Sequence, residues 1–137
     1  MRFTSANSRN QLRERQRRDR AIAQVMRVMY PQFASLKLEF DFRELDPDVA
    51  APAPHLLVMH PPSQAYFVFP CPYADCDGEF DLSSAVAELA RSREPHSHGR
   101  QQCGGQRVRD KNGRTPCQLT LEYTLEPATA GAETAQR

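Results

Sequence analysis

Apolar and polar residues alternate with a period of two in several stretches of this chain and recur at helical spacing in two others. The clearest alternation is Leu36-Lys37-Leu38-Glu39-Phe40-Asp41-Phe42, which predicts a strand with one face in the core and one in water. Two denser apolar runs, residues 55–60 and 65–69, read as further strands joined by Pro61-Pro62-Ser63, with central places in an antiparallel sheet. Toward the C-terminal end, Leu119, Leu121, Tyr123 and Leu125 alternate toward the core. They belong to an ordered region expected from Gln106 to Glu126, with a hairpin turn at Asn112-Gly113.

Ile22, Val25, Met26 and Met29 recur at helical spacing downstream of Ser8-Arg9-Asn10-Gln11, a capping-box pattern, and no proline or glycine intervenes before Pro31. This predicts one helix from Ser8 to about Tyr30. Its second half should dock, whereas its first half has little apolar face beyond Leu12 and should project into solvent. Leu82, Val86 and Leu89, around Ser83-Ser84, predict a shorter helix to about Arg93, stopped at Glu94-Pro95. Residues 96–99 read as loop, and the segment after Pro127 has no core residue and is expected to be disordered.

These elements make an α+β domain: an antiparallel sheet of about five strands, a long N-terminal helix, and a second short helix within a zinc-binding module. One domain is expected over residues 1–126, with a basic helical arm at 8–30, the module at about 66–126 and a tail at 127–137. The hydrophobic share is 39%, below the roughly 45–50% of average globular chains, and there are eleven prolines. A small core of this kind gains from a covalent or metal staple.

Charge changes the picture more than composition does. The net value is only +1, yet residues 1–30 hold eight arginines against Glu14 and Asp19, a local +6 that leaves −5 for the remainder. Exposed charges act within about 8–10 Å in physiological salt, so the asymmetry matters locally. The arm has three conceivable targets: phosphates, an acidic partner, or the acidic body of its own chain. A solvated helix face is the plainer reading of such a run. Lys37 and Lys111 are the only lysines, a mark of a GC-rich, bacterial genome. The N-terminal residues form no apolar leader and no run reaches membrane-span length, so a cytoplasmic location is expected.

The chemistry is concentrated in Cys71-Pro-Tyr-Ala-Asp-Cys76-Asp-Gly78. A reducing compartment keeps thiols free, and Zn²⁺ takes them as thiolates. Cys-Pro…Cys-x-Gly resembles the knuckle of zinc-ribbon and treble-clef domains over Cys71 to Cys117. That resemblance implies a tight turn whose backbone N–H groups point at sulfur, with glycine where the chain turns back. Cys103-Gly104-Gly105 looks like a second knuckle and makes Cys103 the firmest downstream ligand. Cys117 and His98 compete for the fourth place. Cys117 has the softer donor and leads into the inward row at Leu119, while His98-x4-Cys103 repeats the spacing of Cys71-x4-Cys76. His96, or no fourth protein ligand, is the remaining alternative. A strict turn at Asn112-Gly113 puts Cys117 opposite Val108, five residues from Cys103, unless a looser loop or a bulge at Gly104-Gly105 intervenes. Inert buried thiols or two disulfides are the competing explanations of four cysteines.

No catalytic signature accompanies the cysteines. His-x-Glu with Pro-Cys-x-x-Cys, His-Glu-x-x-His, a P-loop and Gly-x-Ser-x-Gly are all missing from the sequence. His55 and His60 flank one strand, and Asp75, Asp77, Glu79 and Asp81 alternate around the knuckle, with a cation or the arginine arm as conceivable partners and facing water to offset the local charge as the main expectation. The expected function is therefore non-enzymatic: a protein stabilised by structural zinc that contacts nucleic acid or an acidic protein through Arg13, Arg15, Arg17, Arg18 and Arg20. The alternative is a protein-interaction module or homodimer using the Ile22/Val25/Met26/Met29 face. A zinc-dependent hydrolase would need an open metal position.

Overall fold

The computed structural model describes residues 5–110 and 113–129. Its frame is a four-stranded antiparallel sheet in the order β2-β1-β8-β5, formed by β1 (Phe33–Glu44), β2 (His55–Met59), β5 (Ser97–Gln102) and β8 (Leu119–Thr129). Two hairpins complete the strands: β3 (Val68–Pro70) with β4 (Glu79–Asp81), and β6 (Gln106–Asp110) with β7 (Gly113–Pro116). The helices are α1 (Ser5–Ile22), α2 (Met26–Met29) and α3 (Ser83–Ser92).

The alternation in β1 sets the faces of the sheet. Leu36, Leu38 and Phe40 are buried, and across the ladder Leu38 pairs with Leu125 and Phe42 with Leu121. Period two puts both members of each pair on the same side, so Leu119, Leu121 and Leu125 meet the β1 row in one core. Val86 and Leu89 bring α3 onto that core. Tyr123 stands beside Gly99 on β5, where a Cβ would collide with its ring, so glycine lets the aromatic lie across the neighbouring strand.

Several expectations change. The long N-terminal helix starts at Ser5, a turn ahead of the capping pattern at Ser8, and does not run on to Tyr30. It breaks after Ile22 because the turn after β2 captures the backbone there. Met26 N–H donates to Ser63 O at 2.7 Å, Arg27 N–H to Pro61 O at 2.9 Å, and Ala65 N–H to Gln24 O at 2.7 Å. Val25 is extended, with φ −77° and ψ 158°, and only Met26 of the predicted apolar face is buried. Ile22 is 83% exposed.

The run 55–60 is an edge strand, not a central one, and its outward side chains Leu56 and Val58 are exposed. The run 65–69 contributes only Val68 and Phe69 to a three-residue strand in a separate hairpin; Gln64 is instead tied to Val25 by an isolated bridge. His98 lies in β5 rather than in a loop. At the C-terminal end β8 extends through Pro127, Ala128 and Thr129, all paired with β1. The hairpin residue Asn112 and the tail beyond Thr129 lie outside the described residues.

Candidate metal centre

Pairing of Pro70 with Glu79 makes residues 71–78 the loop of the β3–β4 hairpin. Cys71 N–H donates to Gly78 O at 3.0 Å across the base of this loop, and Cys76 N–H to Tyr73 O at 3.2 Å forms an inner turn. The second half of the site is the neck of the β6–β7 hairpin. Gln106 pairs with Pro116, so Cys117 stands opposite Gly105, whose carbonyl accepts its N–H at 3.0 Å. Cys103 N–H donates to Leu119 O at 2.9 Å. The wide Cys103–Cys117 separation that a strict turn at Asn112-Gly113 implies does not arise. Asp110 pairs with Gly113, and a register shift between Val108 and Asp110 moves Cys117 toward Cys103.

All four cysteines are buried and free, at 1% exposure for Cys71, 2% for Cys76 and Cys117, and 4% for Cys103. Their sulfur atoms lie within 4.8 Å of one another, with Cys76 Sγ and Cys103 Sγ 3.6 Å apart. A tetrahedron of metal–sulfur bonds of about 2.3 Å has edges of about 3.8 Å, so the cluster has the size of one tetrathiolate site. Four such sulfurs are a donor set for a single soft metal ion, and the residues fit that group.

Each sulfur also meets a backbone N–H two residues on. Gly78 N–H points at Cys76 Sγ at 3.3 Å and Gly105 N–H at Cys103 Sγ at 3.4 Å. Tyr73 and Leu119 supply the equivalent donors to Cys71 and Cys117. These bonds favour the thiolate. The two glycines are required by packing: a Cβ on Gly78 would overlap Cys103 Sγ, and one on Gly105 would overlap the Gly78 backbone nitrogen.

Without a cation, four thiolates at this spacing repel, and the thiols share protons. Hydrogen bonding to Cys103 and Cys117, with burial added, pushes Cys71 upward; Cys76 moves up for the same reasons. Cys117 is held well down by bonds from Cys103, Cys71 and Cys76. Cys103 is raised by Cys117 but lowered more by the other two, and ends below its ordinary value.

A polar network surrounds the cluster. Arg107, 12% exposed, sets its guanidinium 3.8 Å above the Tyr73 ring, and its Nε lies 3.0 Å from Asp75 Oδ1. Tyr73 OH donates to Glu44 Oε1 at 2.8 Å, and that carboxylate is 3% exposed at the end of β1. Burial, together with bonding to Glu44, pushes the Tyr73 phenol above its ordinary range. Backbone bonds fasten the two knuckles: Val108 N–H to Asp75 O at 3.2 Å and Asp77 N–H to Gln106 O at 3.3 Å.

The knuckle carboxylates were expected mainly to face water. Asp81 does stay exposed, its Oδ1 accepting Ser83 N–H at 2.9 Å as α3 begins, whereas Asp75 holds Arg107 and Asp77 accepts Gln106 N–H at 2.8 Å. Glu79 takes Arg15 at 2.6 Å and Gln16 at 3.1 Å, and Gln16 is buried. The arm therefore rests on the acidic body of its own chain rather than projecting. Arg20 lies 5.4 Å over the Tyr66 ring and Arg17 pairs with Glu14 at 3.0 Å.

His98 is not brought to the cysteines: its Nδ1 lies 3.0 Å from Thr124 Oγ1 on the main sheet, and its ring neighbours that of His96 at 4.7 Å. Glu44, Tyr73 and Arg107 escaped the sequence reading, because isolated polar residues far apart in the chain carry no spacing signal. Among the described residues no helix is long and apolar enough to cross a membrane. Compared with protein-family models, curated proteins and solved structures, the chain finds no match.

Proposed function

We propose that Cys71, Cys76, Cys103 and Cys117 hold one structural Zn²⁺ ion in a non-enzymatic adaptor whose contact surface is α1. The observation that carries the metal is the convergence of four buried sulfurs within 4.8 Å. A backbone donor on each sulfur supports it. Four protein thiolates fill a tetrahedron, so no position is left for substrate, and the ion's work is to fasten the β3–β4 loop to the β6–β7 neck. Metal analysis of the purified protein is expected to find one zinc per chain, lost in Cys117→Ser and kept in His98→Ala. One iron per chain would overturn zinc while keeping the site. A folded, metal-free protein with four titratable thiols would overturn both.

For the contact surface, Arg9, Arg13, Arg17 and Arg20 recur along α1 at spacings of four, four and three, a stripe suited to tracking phosphates. This supports nucleic acid as the partner. The affinity should fall with salt at a log–log slope of about −3 for three to four neutralised phosphates on duplex DNA. A flat response would remove that reading. The alternative, a protein partner or second copy, is supported by exposed Ile22, Val28 and Met29 at the α1–α2 junction. Concentration-dependent mass that vanishes in Ile22→Ser would favour a second copy.

A further inference from the structure

The two edges of the main sheet are guarded differently. β5, at one edge, carries Gly99 and Arg100 and no large apolar side chain, which discourages a further strand from pairing there. β2, at the other, reads His55-Leu-Leu-Val-Met59, with no acidic residue, lysine, arginine, proline or glycine. Among the described residues β1 is the only strand paired with β2, so the backbone groups on the far side of β2 point outward. The register with β1 fixes the side chains. Leu57 and Met59 lie opposite Leu38 and Leu36 on the core face, and Leu56 and Val58 lie opposite Glu39 and Lys37 on the outer face. Leu56 is 57% exposed and Val58 40%. An uncharged apolar edge of this kind is a template for one more strand.

The pattern of β2 decides which strand fits. Side chains alternate between faces, so an added antiparallel strand must set core-facing residues against core-facing ones and outer against outer. A second copy of β2 does this when the twofold axis passes at Leu57. All five residues then pair: Leu57 meets its own copy, His55 meets Met59, and Leu56 meets Val58 on the outer face. Each outer row runs from Glu39 through Leu56 to Val58 and Lys37 of the second copy, so two apolar side chains shield each other between a carboxylate and an ammonium. Moving the axis by one residue pairs Leu56 or Val58 with its own copy. Only three residues of β2 then pair, and that row ends in like charges on both sides. Length, face and charge agree in one register.

We propose that β2 joins a second copy of this chain edge to edge about a twofold axis at Leu57, merging the two four-stranded sheets into one. The surface is distinct from the α1–α2 junction and leaves the cysteines untouched. One short strand pair is at the small end of protein interfaces, so the dimer dissociates readily and forms at high protein concentration.

The test uses the full chain as purified with its metal. Sedimentation from micromolar to millimolar concentration is expected to show the mass rising from one chain to two. Leu56→Lys is the informative variant. In the monomer the new ammonium faces Glu39 across the strand pair and the sheet is retained, which its amide spectrum checks; in the dimer it stands against Val58. Association should weaken at least about tenfold, because each dimer loses two leucines from the contact. Ile22→Ser should associate as wild type does. In a wild-type sample mixing isotope-labelled and unlabelled chains, intermolecular contacts between the methyl groups of Leu56 and Val58 are expected, and this arm depends on no variant. A mass of one chain at every concentration overturns the proposal and leaves the edge to an extended segment of another protein. So does association that is lost in Ile22→Ser but kept in a folded Leu56→Lys, or a dimer without the Leu56–Val58 methyl contacts.

Discussion

Replacing Gly78 by alanine tests whether the two knuckles form one metal site. The added Cβ would stand 2.9 Å from Gly105 N and 3.0 Å from Gly105 Cα, and closer still to Cys103 Sγ. Ordinary contact begins at about 3.5 Å, so the sulfur, the backbone, or both must retreat by about 0.5–1 Å. Metal–sulfur distances tolerate only about 0.2 Å. Movement of Cys103 within the intact fold therefore removes it as a ligand. A structural zinc contributes about 10–16 kcal/mol to a small domain, so one ligand in four is worth about 3 kcal/mol, and overpacking adds about 1–3 kcal/mol.

The expected result is at least a hundredfold loss of metal affinity in chelator competition, with a lower melting temperature in the metal-loaded protein. Gly104→Ala is the internal control. It lies between the same cysteine and glycine, no atom stands within 4 Å of its added Cβ, and its φ is not positive. It should bind metal as wild type does and gain about 0.4–1 kcal/mol from a stiffer unfolded chain. Equal metal affinity in Gly78→Ala and Gly104→Ala would refute the shared site, because only the first crowds Cys103 Sγ and the Gly105 backbone of the opposite knuckle.

Three further outcomes follow from the packing. Leu38→Ala, at a side chain with no exposure and leucine neighbours on both partner strands, should cost about 2–5 kcal/mol in denaturant unfolding. Arg15→Met should cost no more than about 1 kcal/mol, since that arginine side chain is 49% exposed and its attraction to Glu79 is screened. Tyr73 gives a pH signature: its folded pKa lies above the unfolded value of 10.0, so its contribution is fully present below pH 10 and is lost as the pH rises beyond it. Stability measured from pH 9 upward should fall more steeply in wild type than in Tyr73→Phe, and parallel curves would exclude Tyr73 as the group responsible.

What the sequence disclosed was what repeats. The alternation in β1 and β8 places both strands on the right face, and the 82–89 periodicity gives α3, because in each the burial period equals the element's own period. The N-terminal helix misled for the opposite reason. Ile22, Val25, Met26 and Met29 satisfy helical spacing, but the carbonyls of Pro61 and Ser63 offer partners to the amides of Arg27 and Met26, and that tertiary bond outweighs local propensity. His55–Met59 misled because a dense apolar run cannot distinguish a central strand from an edge strand whose outer side chains stay exposed. The cysteine cluster was legible as two knuckles. Its closure depended on a register shift in a hairpin, which no composition or spacing encodes.

The polar shell explains how so much charge is tolerated beside the core. A divalent metal with four thiolates carries two net negative charges, and Asp75 and the 3%-exposed Glu44 add more within the same shell. Backbone N–H groups disperse part of that charge at the sulfurs, one donor to each. Arg107 supplies a nearby full positive charge, tied to Asp75, stacked on Tyr73 and within the field of Cys117, with Arg114 4.0 Å from Asp77 further out. A guanidinium suits this place because it is planar enough to lie on the ring while its edge still reaches the carboxylate. Lysine supplies the charge without the plane. Arg107→Lys should therefore keep most of the metal affinity but lose the packing over Tyr73, whereas Arg107→Met keeps part of the packing and loses the charge. If metal affinity falls more in Arg107→Met and thermal stability of the metal-free protein falls more in Arg107→Lys, the two roles of one side chain are separated. Equal metal affinity in both variants and wild type would mean that the Arg107 charge does not contribute to holding the thiolates.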